Sequence, residues 1–337
     1  MTKRATLADI ARKVGVSEST VSRALAGSEL ISDDTRLRIA RVAEQLGYQL
    51  PVLARSVRGA KTQVVAHLTD TPTLEFHARL AQGLHEAALR HNHLLVTHPS
   101  PPDGFREEQY LQILSALAPV GVVATPTTSN LSLIQTLAQK FPLVTLDRDV
   151  EVGLHAVLLD NKQAMRQGIE HLVELGHTRI ALLVGKDPMT VSFERRQGYL
   201  DSLRALHLPI DPSLMVREEF TEAGGYRAAR DLLDNRLECP FTAMIATNGD
   251  MTLGMMRAVK DVGLKVPQDL SIVGFDDSRY HLLMDPPLTV ITQPAYEMGE
   301  HAANLLFDHL DHPEVHTARV RRMPASLVLR KSTSFVR

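Results

Sequence analysis

The chain has 337 residues, a formal net charge of −2, 44% hydrophobic and 23% charged side chains, no Trp and one cysteine. That is long enough for two or three buried cores, and the balance excludes a uniform polycation or an acidic tail, while the lone Cys239 excludes a disulfide framework or a cysteine-ligated zinc. No apolar run approaches the roughly 20 residues of a membrane span, and the polar start Met1-Thr2-Lys3-Arg4 is no signal core, so a reduced cytoplasmic setting without a membrane partner is expected.

Thr6 is placed to cap a first helix, with Asp9 three residues on completing a capping box. Leu7, Ile10, Ala11 and Val14 form its apolar stripe, and Gly15 stops it. Ser17 caps a second short helix with Val21, Ala24 and Leu25 inward and Ser17, Glu18, Ser19, Ser22 and Arg23 on the polar side; Gly27 ends it. Ser32 or Asp33 opens a third, with Leu37, Ile39, Val42, Ala43 and Leu46 expected inside and Gly47 beyond its end. Two short helices on a tight turn plus a support helix make a helix-turn-helix, a unit that lays its second helix in the DNA major groove.

Charge supports this. Residues 1–63 carry 11 basic and 6 acidic side chains, residues 64–314 carry 20 and 33, and residues 315–337 carry 6 and none. A basic head on an acidic body suits a polyanion partner met at one end only.

The runs Thr6-Leu7-Ala8-Asp9-Ile10-Ala11, Val14-Gly15-Val16-Ser17 and Thr20-Val21-Ser22-Arg23-Ala24-Leu25, with Thr35-Arg36, Ile39 and Leu46-Gly47-Tyr48, resemble the head of the lactose-repressor (LacI/GalR) family. The resemblance implies operator DNA as partner, with Ser17, Glu18, Ser19 and Arg23 on the reading face and Thr6, Ser22 and Tyr48 at backbone-contact positions. Residues 50–62 resemble the family's hinge helix, whose leucine wedges into a minor-groove step. Here the usual Pro-Asn is Leu50-Pro51 and the wedge position is Val57, which is shorter and β-branched. Contact with less kinking is expected.

From residue 63 strands and helices alternate. Strand-like runs are Val64–Leu68, His93–Val96, Gly121–Ala124, Leu143–Leu146, Arg179–Val184, Ala243–Ala246 and Ser271–Gly274; helical runs are Arg79–Leu89, Gln109–Leu117, Leu131–Ala138, Arg195–Leu206 and Met251–Val262. Such alternation predicts parallel sheets covered on both faces, in two lobes, with a ligand beyond the carboxyl ends of the strands. Asp147, Asn248 and Asp276 follow strands, and Arg195 is placed at a loop-to-helix entry. One cation, two carboxylates and an amide suit a polyhydroxylated ligand. With no Trp, any ring-stacking platform must be Phe or Tyr; Phe76, Phe193 and Phe275 are the candidates, with Phe275 read as core, and the lactose-repressor resemblance implies that Phe76 and Phe193 fall in cleft-facing loops.

The body also resembles the family, which is similar to periplasmic sugar-binding proteins. The resemblance rests on Pro142–Arg148, Asp160-Asn161, Leu175-Gly176-His177, Asn248 with Gly254, Val273–Asp277, Pro287-Leu288-Thr289 and Gln293-Pro294. It implies that Asp147, Arg195, Asn248 and Asp276 line the effector cleft; Gly249 replaces a usual Asp and Ala164 a usual Gly. The expected fold is a small all-α head (1–49), a hinge (50–62) and a two-lobed α/β body (63–337), with lobes of 63–161 plus 293–322 and 162–292 plus 323–337.

Catalytic readings fail on their own residues. Gly185-Lys186 lacks the other elements of a phosphate loop, since Ile180 and Asp187 stand where Gly and Ser/Thr are needed. No Gly-x-Ser-x-Gly occurs. His91-Asn92-His93 has no carboxylates at ligand spacing, and Cys239 has no activating neighbour in sequence. No enzyme, cofactor or metal site is expected. The expected protein is a homodimeric repressor with a sugar-like effector; alternatives are a purine, nucleoside or sugar-phosphate effector, or a ligand-binding receptor without DNA.

Overall fold

The computed structural model describes residues 5–25, 30–46, 48, 62–69, 74–99, 107–127, 130–150, 153–186, 190–314 and 317–336. They fall in two units, residues 1–64 with 105–120 and residues 65–104 with 121–337. The expected hinge helix, Val57 included, lies outside the described residues.

The head folds as local chemistry dictates. Helix α1 (Leu7–Val14) starts at Thr6, whose hydroxyl accepts from Asp9 N while the Asp9 carboxylate accepts from Thr6 N at 3.0 Å. It ends at Gly15 with φ 77°, the left-handed region. Helix α2 (Glu18–Leu25) is capped by Ser17 Oγ, which accepts from Thr20 N at 3.1 Å. Helix α3 (Asp33–Gln45) follows Ser32. Ile10, Val21 and Ile39 are fully buried at the junction of the three, each worth roughly 2 kcal/mol. Leu37 is a correction: it is 59% exposed. It precedes Ile39 by two residues, about 200° around a helix, so the two cannot share a face.

In the larger unit the chain runs through β1 (Val64–Thr69, entering the unit at Val65), α4 (Glu75–Arg90) and β2 (Leu94–Pro99). Helix α5 (Glu107–Leu117) belongs to the smaller unit, where Thr62 Oγ1 donates to Ala118 O at 2.8 Å. Then come β3 (Gly121–Ala124), α6 (Leu131–Lys140), β4 (Leu143–Leu146) and β5 (His155–Leu159). A second series follows: α7 (Asn161–Glu174), β6 (Ile180–Gly185), α8 (Thr190–Ala205), β7 (Met215–Glu218), α9 (Glu222–Asp234), β8 (Ala243–Ala246), α10 (Gly249–Val262), β9 (Ser271–Phe275), α11 (Arg279–Leu283) and β10 (Thr289–Thr292). Helix α12 (Ala295–Asp311) and β11 (Val320–Met323) return to the first series, and β12 (Ser326–Val328) closes the second.

The strands form two six-stranded sheets with matching order, β11-β5-β4-β3-β1-β2 and β12-β10-β9-β8-β6-β7. Strand β12 runs antiparallel to β10, whereas the β3–β4, β4–β5, β5–β11, β6–β8, β8–β9 and β9–β10 pairs are parallel. The larger unit is thus a two-lobed α/β body of the periplasmic-binding type, and the three head helices make a separate all-α domain. The matching orders make β4 and β9 counterparts, so the residues at their carboxyl ends occupy equivalent places.

Glycines set the helix spacing. A Cβ on Gly83 of α4 would lie 1.9 Å from Tyr296 O of α12, and one on Gly299 of α12 would lie 2.0 Å from Leu80 O of α4. In the second lobe, a Cβ on Gly225 of α9 would lie 2.4 Å from Met251 O of α10, and one on Gly254 of α10 would lie 2.0 Å from Glu222 O of α9.

One buried histidine makes the first lobe acid-sensitive. His67 in β1 is fully buried, Nδ1 lies 3.3 Å from Thr97 Oγ1, and Nε2 has no partner among the described residues. Burial, and secondarily the charge of nearby His77, push its pKa down to about 3. Below the ordinary histidine value the unfolded chain takes up a proton that the folded chain refuses, so stability falls as pH falls. The slope is about 1.4 kcal/mol per pH unit, or roughly 2 kcal/mol between pH 6.5 and 5. Urea unfolding of the wild type and His67→Leu at both pH values is expected to show a shallower pH dependence in the variant; equal slopes would contradict the assignment.

Candidate functional site

A cavity of about 610 Å³ opens between the carboxyl ends of the two sheets, within the usual range for a small-molecule site. Asp147 and Asp276 enter it from equivalent positions after β4 and β9. Both hold left-handed backbone, φ 70° and 62°. Asp147 N donates to Val157 O of β5, and Asp276 N to Ile291 O of β10, at 2.9 and 2.8 Å. Aspartate tolerates this conformation better than most residues, and such strain gathers where a side chain must be aimed.

Arg195 lies deepest, 3% exposed. It sits in the second turn of α8 and not at a loop-to-helix entry as the sequence suggested. Its Nε donates to Asn161 Oδ1 at 2.8 Å, Nη1 donates to Thr247 O, and the guanidinium stacks 3.9 Å above the Phe275 ring. Burial lowers its pKa while the charges of Asp276 and Asp147 oppose that; an arginine still remains protonated. Gly198, one turn on, lets α8 close on α7, where an added Cβ would meet Lys162 Cα at 2.9 Å.

Asp276 is fixed from two sides: Gly249 N donates to Oδ2 at 3.1 Å and Gln293 Nε2 to Oδ1 at 2.6 Å. Asn248 caps α10 by accepting from Met251 N at 2.9 Å, and its Nδ2 donates to Phe220 O at 3.4 Å. Arg148 pairs with Asp147 at 3.6 Å and donates to Pro126 O at 3.1 Å. The half-buried Asp250 carboxyl is raised by burial, then by Asp276 and Glu222. Across the cavity, Arg279 N donates to the Glu75 carboxylate at 3.3 Å; away from its lining, Asp149 N donates to Thr190 Oγ1 of α8 at 3.3 Å.

Phe76, Asp147, Arg195, Asn248 and Asp276 therefore line one cavity. Phe76 does so from α4 and not from a loop. Phe193 does not line it and is 58% exposed. Two residues from Arg195 on the same helix, it points about 200° away, so an inward Arg195 excludes it. Phe275 is buried core, as expected. Sequence reasoning missed Phe220, which lines the cavity and lies over Gly185; a Cβ there would meet the ring at 2.3 Å. The available signal was Gly185 itself, at the end of a strand. His77, Arg148, Asp250, Arg279 and Gln293 were also missed.

On the head, Glu18, Ser19 and Arg23 are exposed along α2 and Ser22 is half-buried. Ser17 is exposed, but its hydroxyl is engaged by Thr20, with Oγ and Oγ1 2.8 Å apart. Thr6 Oγ1 is likewise held by Asp9 at 2.6 Å, and Tyr48 packs half-buried on the head core.

The residues weighed for catalysis take structural places. His91 stacks on Phe307 with ring centres 4.1 Å apart, and His93 lies 4.9 Å from the same ring. Cys239 does have tertiary neighbours, Ser213 Oγ at 2.8 Å and Arg179 Nη2 at 3.2 Å, in a place that does not line the cavity. No helix among the described residues is long and apolar enough to cross a membrane.

The description of bacterial regulatory proteins of the lacI family matches residues 6–50, and that of a periplasmic binding protein-like domain matches residues 169–333. The HTH-type transcriptional repressor CytR of Escherichia coli (strain K12) is 31% identical over 331 residues, covering 98% of this chain and 96% of the relative. Among solved structures, the lac repressor dimer bound to operator and an anti-inducer is 26% identical with a TM-score of 0.80, covering 98% of this chain and 100% of that one. The transcriptional regulator CelR in complex with cellobiose is 29% identical with a TM-score of 0.74, at 98% and 100% coverage.

Proposed function

Because the chain belongs to the lacI family of bacterial regulatory proteins, we propose that it represses carbohydrate-utilisation genes under control of a sugar-like effector bound between its sheets. It is a DNA-binding transcriptional regulator and not an enzyme. The observation that carries the effector reading is the cavity in which Asp147, Asp276, Asn248 and the buried Arg195 present acceptors and donors around a space of ligand size. Hydroxyl groups both give and accept hydrogen bonds, and that mixed lining serves them. CelR was solved with cellobiose. A nucleoside is the second reading, favoured by Phe76 and Phe220, which offer aromatic surface in the same cavity. A sugar phosphate is less well supported, because the Asp147 and Asp276 carboxylates line the same cavity and repel an anion.

In this reading residues 1–49 bind the operator, 50–62 form a hinge with Val57 against the minor groove, and 63–337 bind effector and dimerise in the cytoplasm. Thr6, Ser22 and Tyr48 meet the DNA backbone, and Ser17, Glu18, Ser19 and Arg23 face the groove. Two heads on a near-palindromic operator require a homodimer. Apolar side chains exposed on β2 (Leu94 and Val96) and on α11 (Leu282 and Leu283) suit contacts with a second copy. Effector control is a two-state coupling. A ligand shifts operator affinity only by its differential affinity for the two arrangements. The Glu75–Arg279 and Asp149–Thr190 bonds join the first lobe to the second and depend on how the lobes sit.

Two measurements test this. Selection from random duplex DNA at two salt concentrations is expected to enrich a near-palindrome with salt-dependent affinity; no enriched sequence would overturn the regulator reading. A melting-temperature screen of sugars, nucleosides and sugar phosphates is expected to show stabilisation by a sugar, and stabilisation by a nucleoside alone would replace that reading with the second.

A further inference from the structure

We propose that Glu18 selects cytosine in the operator half-site. The inference rests on the DNA-binding reading of the head. Glu18 is the first residue of α2, is exposed, and has no hydrogen bond or ion pair to any described residue. Its neighbour Ser17 is committed to the helix cap, accepting from Thr20 N and sharing a contact with Thr20 Oγ1. The charged side chains on the exposed face of α2 are therefore Glu18 and Arg23.

These two can do opposite things in a major groove. Arg23 donates, so phosphates and the O6 and N7 of guanine all accept from it. Glu18 only accepts. Phosphates repel it, as do guanine O6 and N7 and thymine O4, which leaves the exocyclic amino groups of cytosine and adenine. Adenine carries the N7 lone pair beside its amino group, facing the second carboxylate oxygen. Cytosine carries a C–H at the adjoining C5 position, so its edge accommodates the whole carboxylate. Glu18 thus works by attraction to one base and by rejection of the others, the second being the larger share of specificity. The cytosine is expected at a different position of the half-site from the one that Arg23 reads, because the two side chains leave α2 about 140° apart.

The test is selection from random duplex DNA by the full-length protein, Glu18→Ala and Glu18→Gln, with thermal melts confirming that each variant folds. The wild type is expected to favour cytosine about tenfold at one position of each half-site. Glu18→Ala loses that preference while the rest of the motif stays, and binds non-operator DNA more tightly because a repelled charge is gone. Glu18→Gln moves the preference toward adenine, whose N6 and N7 an amide engages together. A purely structural role for Glu18 would not produce that switch. Identical base preferences in all three proteins, or a wild-type preference for guanine or thymine there, would overturn the proposal. Enrichment of no sequence by any of the three overturns the regulator reading itself, and this proposal with it.

Discussion

Gly83→Ala is expected to destabilise the protein by about 3 kcal/mol, although the same exchange in an isolated helix would stabilise it by about 1 kcal/mol. The added Cβ would stand 1.9 Å from Tyr296 O, and from Gly299 of α12 the return approach to Leu80 O is 2.0 Å. Both obstacles are backbone, so no side chain can swing away; α4 and α12 must separate, which loosens the surroundings of Leu80, Leu84, Met298 and Ala302, all fully buried on these two helices. Overpacking of this kind ordinarily costs about 1–3 kcal/mol, and two opposed backbones place the site at the upper end. Gly263→Ala is the contrasting case: a Cβ there meets nothing, but φ is 80°, so its smaller cost, on the order of 1 kcal/mol, comes from backbone strain alone. Urea midpoints for the two variants check the ranking; a Gly83→Ala protein as stable as the wild type would mean that the helices are not in contact as described.

Arg195→Met is expected to lower effector affinity by roughly 100-fold or more and to uncouple operator binding from effector. Truncating one member of a buried, hydrogen-bonded charge constellation costs about 2–5 kcal/mol in binding. Methionine fills the volume above Phe275 but leaves Asn161 Oδ1 and Thr247 O without their guanidinium donor and removes the positive charge facing Asp276 and Asp147. Stability should fall by about 2 kcal/mol, since buried acceptors are left unmade. Lysine should not rescue the site, because a single ammonium cannot bond to Nε and Nη partners while stacking on the ring. Operator titrations with and without the effector found by thermal shift, run alongside the melting temperature of each variant, separate the two effects. An Arg195→Met protein that folds and still responds fully to effector would remove Arg195 from the binding machinery.

Arg195 was legible because the family resemblance implied it in the cleft and because one cation and two strand-end carboxylates already suggested a polar pocket. Its place inside α8 was not, since the first turn of that helix has no apolar stripe to announce it. Phe193 was misplaced for the same reason: without the helix start, its angle relative to Arg195 was unknown. Phe220 was invisible because β7, Met215-Val216-Arg217-Glu218, is short and polar, and only the neighbouring Gly185 hinted that a ring would lie there. Strands β5, β10, β11 and β12 and helices α7, α9 and α12 were likewise not singled out from periodicity.

The head shows the opposite case. Thr6 with Asp9, Gly15 and Ser17 bond to groups within five residues of themselves, so local chemistry determined where α1 and α2 begin and where α1 ends. The sequence by itself also determined the fold class, through the alternation of strand and helix, and the concentration of positive charge at one end. What only the tertiary structure decided are meetings between distant residues. Asp147 and Asp276 stand across one cavity, Gly83 faces Gly299, and His67 is closed off from water. Hydrogen bonds inside a turn are fixed by spacing along the chain, whereas contacts across 130 or 200 residues depend on sheet order, which no local window contains.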